Sequence, residues 1–317
     1  VSETLSLPDL VRSFPFVEPS GPIRLCSERP VFRVLDRRGD WVVKRTGMVH
    51  SAPGPIDRWL RHIHGRGARV VTAAAGFGDN PRVLADGHGW VVYPFIEGVA
   101  YAATAGQIEA AGALLAHIHV AGAFNDWGLK PMPRPPLRPR GWTREHAGRA
   151  ASALRAAGFD DAAFLRLVEA RWSAAEPPGG LPMAGGSFDF QASNLVFPAS
   201  SALGPVLVDT DHAAYLPRLY DLAVAALLFH ADCPGAPPRL WTRPEWLLFL
   251  RGYLRIVRLS AAEQAAWPEV LRLAWLDHGV WLLGNWPTGW ASADCATFLR
   301  ELAMVELARI TLPAAVQ

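Results

Sequence analysis

Apolar positions in the first third of the chain come in short runs separated by turn residues, the pattern of β-strands in a small sheet. Residues 7–14 (LPDLVRSF) predict a short leading helix. After Gly21-Pro22, strand-like runs follow at 23–26, 31–35 and 41–44. Arg38-Gly39-Asp40 is a turn signal that makes the last two a hairpin. Residues 70–71, 83–84 and 90–93 are further strand candidates. One helix interrupts them: in 55–64 (PIDRWLRHIH), Ile56, Leu60 and Ile63 recur at helical spacing, with Pro55 near the start as helix N-termini allow. Residues 22–96 thus predict about five strands and one helix.

The period changes at 94–98 (PFIEG), which is the expected hinge. From Thr104 onward the spacing is helical, and Ile108, Ala111, Leu114, Leu115 and Ile118 form one apolar face. Residues 131–140 (PMPRPPLRPR) hold five prolines and predict an extended surface loop. Helices are expected at 143–157 and 160–174, then a loop over 177–186, then helices near 220–231, 243–258, 261–283 and 292–311. The fold class this implies is α+β: a small β-rich N-terminal lobe, residues 1–98, and a larger, mainly helical C-terminal lobe, residues 99–317.

Composition narrows the class. A chain of 317 residues that is 50% hydrophobic can bury a large core. A formal net charge of +2 leaves no nucleic-acid footprint. Only Lys44 and Lys130 are lysines among 31 basic residues, so each invites inspection. Cys26, Cys233 and Cys295 are odd in number, far apart and without a C-x-x-C, which indicates reduced thiols in the cytoplasm rather than a disulfide framework or a zinc site. The opening VSETLSLPDL has no basic segment followed by an apolar one, so no signal peptide is expected. The longest strongly apolar run, 222–229, is far short of the ~20 residues of a membrane helix.

The chemistry concentrates in residues 185–211. Residues 185–197 read GGSFDFQASNLVF, and 204–211 read GPVLVDTD. Two short β-type runs joined by a turn predict a hairpin that brings Asp189, Asn194 and Asp209 to one end. Three oxygen-bearing side chains gathered there suit a hard divalent cation such as Mg²⁺, held together with phosphate oxygens. Protein kinases place their parts in the same order: a catalytic Asp, a metal-binding Asn five positions on, and a second metal-binding Asp on the next strand. Lys44 ends the run WVVK, where an inward-pointing ammonium can pair with nucleotide phosphates. At a strand end it is expected to contribute charge rather than packing. The turn at 27–30 (SERP) is not a G-x-G-x-x-G loop, so a phosphate contact there falls to backbone N–H groups and the Ser27 hydroxyl.

These motifs resemble those of the aminoglycoside phosphotransferase and choline kinase superfamily, a branch of the protein-kinase-like fold, over roughly residues 20–312. That family typically carries H-G-D-x-x-x-x-N, then I-D-[WF], then Y-D-L-A. Here the corresponding stretches are GSFD-FQAS-N, LVDTD and Tyr220-Asp221-Leu222-Ala223, and LLAHIH at 114–119 resembles the family's helix ending in Leu-His. The resemblance implies that Asp189 is the catalytic base, Asn194 and Asp209 bind Mg²⁺, and Lys44 positions the phosphates of ATP or GTP. It implies further that Tyr93 to Glu97, with Phe95 between them, meet the nucleotide base, and that Asp221 holds the catalytic loop 185–194. Two departures stand out: Ser187 replaces the family's His, and the helix at 55–64 offers Asp57 rather than a glutamate to pair with Lys44.

Residues 275–290 hold four tryptophans together with Asp277, His278 and Asn285. They read as core packing or as a substrate wall. On the second reading Trp281, Trp286, Asp277 and also Asp211 are candidate acceptor contacts. His117 and His119 read as core or surface histidines. The function expected is a small-molecule O-phosphotransferase, with an antibiotic or aminoglycoside-like acceptor, or a metabolic acceptor such as homoserine, choline or a sugar. A nucleotide-binding pseudokinase with a regulatory role is the alternative from another class. The partners expected are a nucleotide and a small hydroxyl-bearing acceptor, with neither nucleic acid nor membrane.

Overall fold

A computed structural model describes residues 6–26, 29–46, 50–199 and 204–313. Its N-terminal part is an antiparallel sheet of β1 (Ile23–Arg24), β2 (Val31–Asp36), β3 (Gly39–Thr46), β4 (Arg82–Val83) and β5 (Gly89–Pro94), in the order β1-β2-β3-β5-β4. Helix α1 (Leu7–Arg12), started by Pro8 and capped by Ser6, closes one face of the sheet. Leu10 and Phe14 pack there on Phe32, Val34, Val43, Phe77 and Val92. Alternation sends Val42 and Lys44 to the other face, opposite Tyr93 and Val91 in the register. Val71, Tyr93 and Val206 pack on that face.

Residues 70–71 do not join this sheet. Val70 bridges Leu207 in parallel, and the Val71 N–H donates to the Leu207 carbonyl. The segment thus ties the N-terminal part to the hairpin of β7 (Leu195–Val196) and β8 (Val206–Leu207), which pair antiparallel. Helix α2 (Pro53–Gly65) also turns away from the sheet. Its buried stripe of Ile56, Trp59, Leu60 and Ile63 belongs to the large core of the helical part.

The helical part opens with α3 (Ala105–Ala121), whose start is fixed by a capping box between Thr104 and Gln107. It lies against α7 (Arg243–Leu254) at a separation only glycine allows: a Cβ at Gly112 would come 2.0 Å from the Phe249 carbonyl, and one at Gly252 2.0 Å from that of Glu109. Between them in sequence come α4 (Arg140–Ala156), α5 (Asp161–Ser173) and α6 (Arg218–Leu228), whose residues 219–228 are all buried. Three sequence expectations change here. Residues 183–186 are not loop but strand β6 (Met183–Gly186), paired with β9 (Ala214–Pro217). The helix expected over 261–283 is α8 (Ala261–Ala274), a π-helical turn at Trp275–Gly279, and α9 (Val280–Asn285). Helices α10 (Pro287–Ala291) and α11 (Ala293–Ala303) follow, so the last long helix ends at Ala303 and not at 311. No helix among the described residues is long and apolar enough to cross a membrane.

Candidate active site

The loop after β6 is built around a buried carboxylate. Asp221, on the first turn of α6, is fully buried. Its Oδ2 and Oδ1 accept the N–H groups of Ser187 (3.1 Å) and Phe188 (2.9 Å). His119 Nε2 lies 3.1 Å from the same Oδ2, and His119 Nδ1 lies 2.8 Å from the Tyr253 hydroxyl. A carboxylate only accepts, so the ring donates from Nε2. Gly186 makes room for this arrangement, since a Cβ there would sit 2.5 Å from Asp221 Oδ2. Phe188 is held at φ 57°, a left-handed conformation that a non-glycine residue keeps only when its surroundings over-determine it. That kink aims the next residue, Asp189.

Asp189 is fixed by two amides. Gln191 Nε2 donates to Oδ1 at 2.5 Å, and Asn194 Nδ2 donates to Oδ2 at 3.2 Å and to the Asp189 carbonyl at 2.9 Å. Burial pushes the Asp189 carboxyl above the usual carboxylate range, against the pull of His212; Asp209 pushes the same way, and His278 and Asn194 oppose. The result is a more basic carboxylate than a solvated one.

Asp209 follows β8 and faces Lys44 across the gap between the sheet and the hairpin. Lys44 Nζ lies 2.5 Å from Asp209 Oδ1 and 3.0 Å from Asp211 Oδ2. Arg29 Nη1 approaches Asp209 Oδ2 at 3.5 Å. Burial opposes ionisation of Asp209, but Lys44 outweighs it and holds the carboxyl below its ordinary value. Burial likewise opposes the Lys44 charge, and Asp209 and Asp211 more than compensate.

A cavity of about 240 Å³ lies between the sheet's cleft-side face and the hairpin. Val31, Val42, Ile96, Val196 and Val208 give it apolar walls, and Lys44, Asn194 and Asp209 share its polar lining. Tyr93 and Phe95 border it. The Phe95 N–H already donates to the Asp40 carbonyl at 2.9 Å, so that hinge donor is not open to a nucleotide base. Glu97 is exposed and outside the lining. A larger cavity, about 640 Å³, lies near Trp267, Arg272 and Ile310, and its lining has no carboxylate.

The oxygens present fit a hard cation. The Asn194 amide donates its N–H to Asp189, which leaves its carbonyl oxygen as a neutral donor beside the Asp209 carboxylate. No group of three or more His, Cys, Asp or Glu side chains among the described residues is placed to hold a metal by itself. A cation here would therefore draw much of its shell from phosphate and water.

The structure brings Lys44, Asn194, Asp209 and Asp211 together and sets Asp189 against Asn194. Ser27 lies outside the described residues. Asp57 pairs with Arg61 at 2.8 Å and not with Lys44; Asp211, two residues past Asp209, takes that place. Ser187 is fully buried, and its hydroxyl has no hydrogen-bond partner among the described residues. Asp277 is 3% exposed and engaged by Arg138 Nε (2.5 Å) and the Tyr220 hydroxyl (3.0 Å). Trp275 and Trp290 are core: their indoles donate to the carbonyls of Leu302 and Leu283. Trp286 is half-buried over Gly289, and Trp281 is 47% exposed on α9. Sequence reasoning missed Gln191 and Arg29, which carry no motif.

Lys44 also differs from a solvated strand-end lysine, being 5% exposed between two carboxylates. Lys44→Ala would remove the buried cation that lies between Asp209 and Asp211. It is expected to lower stability by about 3 kcal/mol as well as weaken nucleotide binding, both readable by denaturant unfolding and calorimetry. Wild-type stability in the variant would contradict the buried pairing.

The fold is of the kinase-like class. The chain belongs to the phosphotransferase enzyme family, whose model matches residues 22–270. A homoserine kinase from Beijerinckia indica subsp. indica is 31% identical over 199 residues, a match that spans 62% of this chain and 58% of that protein. Among solved structures, a spectinomycin phosphotransferase in complex with ADP and spectinomycin superposes with TM-score 0.63 at 14% identity, covering 92% of this chain and 93% of that one. An amicoumacin kinase in complex with AMP-PNP, Ca²⁺ and Ami gives TM-score 0.62 at 17% identity, with 92% and 90% covered. A microcompartment-associated aminopropanol kinase gives 0.58 at 16%, with 92% of each chain covered. At these identities the structural likeness speaks for the fold.

Proposed function

We propose that the protein transfers the γ-phosphate of ATP or GTP to a hydroxyl of a small molecule. The observation that carries this reading is the convergence of Lys44, Asn194 and Asp209 on one cavity, with Asp189 bonded to Asn194 beside it. Asp189 orients the acceptor hydroxyl and takes its proton; Gln191 and Asn194 hold the carboxylate in place for this. Lys44 pairs with the phosphates, exchanging part of its contact with Asp209 and Asp211. Asn194 and Asp209 hold Mg²⁺, which when bound neutralises phosphate charge. Catalysis of this kind is positioning and charge neutralisation, as a loose phosphoryl-transfer transition state requires. Residues 94–98 serve as the hinge between a nucleotide-binding lobe, 1–98, and a C-terminal lobe, 99–317.

Nucleotide use is supported by the ADP and AMP-PNP bound to the two antibiotic kinases of like fold. On the acceptor, the homoserine kinase relative favours a metabolic alcohol over a polycationic aminoglycoside. So does the engagement of Asp277, which leaves it unavailable to an amine. Trp281 offers the one tryptophan face of α9 that the core does not claim. Trp281→Ala is expected to raise the acceptor KM about tenfold, the order of one lost stacking contact, with the nucleotide KM unchanged. Equal effects on both would assign Trp281 to packing.

ADP and GDP release with a pool of small alcohols tests the proposal. Release above the acceptor-free rate that Asp209→Asn abolishes is expected. Nucleotide binding with no acceptor-stimulated release would favour the regulatory pseudokinase.

A further inference from the structure

Beside Asp189, outside the apolar cavity, four separate segments place basic side chains around Phe188. The His50 ring lies 5.0 Å from the Phe188 ring, and that of His278 lies 4.6 Å from it. His212 is 6.0 Å from His50. The charges acting on His50 come from His212, His278, Lys130 and Arg138, and those acting on Asp189 include His212 and His278. The five basic groups therefore share one neighbourhood with the catalytic carboxylate.

Lys130 is set there by its backbone. Its N–H donates to Ser51 Oγ at 2.9 Å, Ser51 donates to the Ala213 carbonyl at 2.7 Å, and the Lys130 carbonyl accepts the Tyr215 N–H at 3.0 Å. Its side chain is exposed and makes no ion pair among the described residues. Arg138 spends Nε on Asp277 and keeps its terminal guanidinium nitrogens, with the side chain 39% exposed. The carboxylates of this wall are accounted for. Asp277 is neutralised by Arg138 and bonded by Tyr220, Asp189 is the proposed base, and Asp209 and Asp211 belong to Lys44. Burial first, and then these neighbouring cations, push the His50 pKa down to about 4, so its ring is a neutral donor at pH 7. Of the wall's two permanent cations, Arg138 is paired with Asp277, while Lys130 makes no ion pair among the described residues.

We propose that the acceptor alcohol carries a carboxylate, bound by Lys130 and the outer edge of the Arg138 guanidinium, with the His50 ring completing its hydrogen bonds. One unpaired lysine balances one negative charge, which favours a carboxylate over a doubly charged phosphate. This inference rests on the phosphotransferase reading, because it uses Asp189 to locate the acceptor.

The test uses matched pairs of acids and their neutral amides: glycerate, L-homoserine and gluconate. Each is titrated calorimetrically into the full chain with AMP-PNP and Mg²⁺ present, for wild type and for Lys130→Ala. At least one acid is expected to bind tenfold or more tighter than its amide to wild type, and the two to bind alike to Lys130→Ala. Lys130 is exposed, so the variant folds; an unchanged melting temperature checks this. Equal binding of acid and amide in every pair, absence of binding by all six, or an acid preference that survives Lys130→Ala would overturn the proposal. Turnover on the same panel reports separately on phosphoryl transfer. An acid preference in binding with no phosphorylated product from any pair would reject the kinase reading and leave the carboxylate site standing.

Discussion

Asp189→Asn is expected to lower turnover about 10³-fold, within the range that a positioned general base supplies, while the nucleotide Kd stays within about twofold. The separation follows from the geometry. Asp189 is outside the lining of the cavity proposed for the nucleotide, whereas Asn194 and Asp209 are part of it. The substitution keeps the shape of the side chain and removes the basic oxygen. It also has a predictable local cost. Both Asp189 oxygens accept N–H groups, one from Gln191 and one from Asn194. An amide must turn its NH₂ toward one of these donors, so one bond is lost, at about 1–2 kcal/mol of stability. Asp209→Asn should behave otherwise, weakening Mg²⁺-dependent nucleotide binding together with turnover, because it removes a charged oxygen from a hard-cation site. Steady-state rates and calorimetry on both variants make the comparison. Near-normal turnover by Asp189→Asn would remove the base from the mechanism.

Asp221→Ala is expected to cost about 3–5 kcal/mol of folding stability, the scale for breaking a buried, fully used charged group. The carboxylate is inaccessible and receives the N–H groups of Ser187 and Phe188 as well as the His119 ring. Its removal leaves buried donors without acceptors and a small void. It also releases the clamp that keeps Phe188 at φ 57°, so activity should fall further than stability alone explains. Asp221→Asn retains one acceptor oxygen and should fall between. Denaturant unfolding gives the stability, and residual activity well below the unfolding range gives the second effect. An Asp221→Ala midpoint equal to wild type would mean the loop is held by something else.

Much of this was legible in the sequence, for reasons that differ by element. The hairpin carrying Asp209 showed itself because two apolar runs flank a turn, and alternation then fixed which face of β3 carries Lys44. Strand β6 was hidden because MAGG has too few side chains to make a pattern. Residues 70–71 looked like any short strand, since a two-residue apolar run cannot say which partner it will take; only the fold brings Leu207 to it. The interruption at 275–279 left the apolar period intact and so read as one helix. Asp211 stood two positions beyond a motif residue, yet its pairing with Lys44 is a long-range contact that no local spacing encodes. The basic wall is the extreme case. His50, Lys130, Arg138, His212 and His278 are isolated residues in unrelated segments, and Arg138 lay in a proline-rich stretch that read as surface loop. The glutamate that seemed missing near Lys44 is likewise explained by position: Asp209 and Asp211 meet the ammonium from the opposite side of the cleft.

The central claim is transfer of phosphate to a hydroxyl, which ADP release alone does not distinguish from hydrolysis. The direct measurement is incubation of the wild-type chain with γ-labelled ATP or GTP, Mg²⁺ and a pool of small alcohols, followed by chromatographic and mass identification of labelled species. The account predicts a labelled phosphomonoester of one acceptor, formed in step with nucleoside diphosphate and absent with Asp189→Asn. Label appearing only as inorganic phosphate, or remaining in a nucleotide that binds but is not consumed, would contradict it.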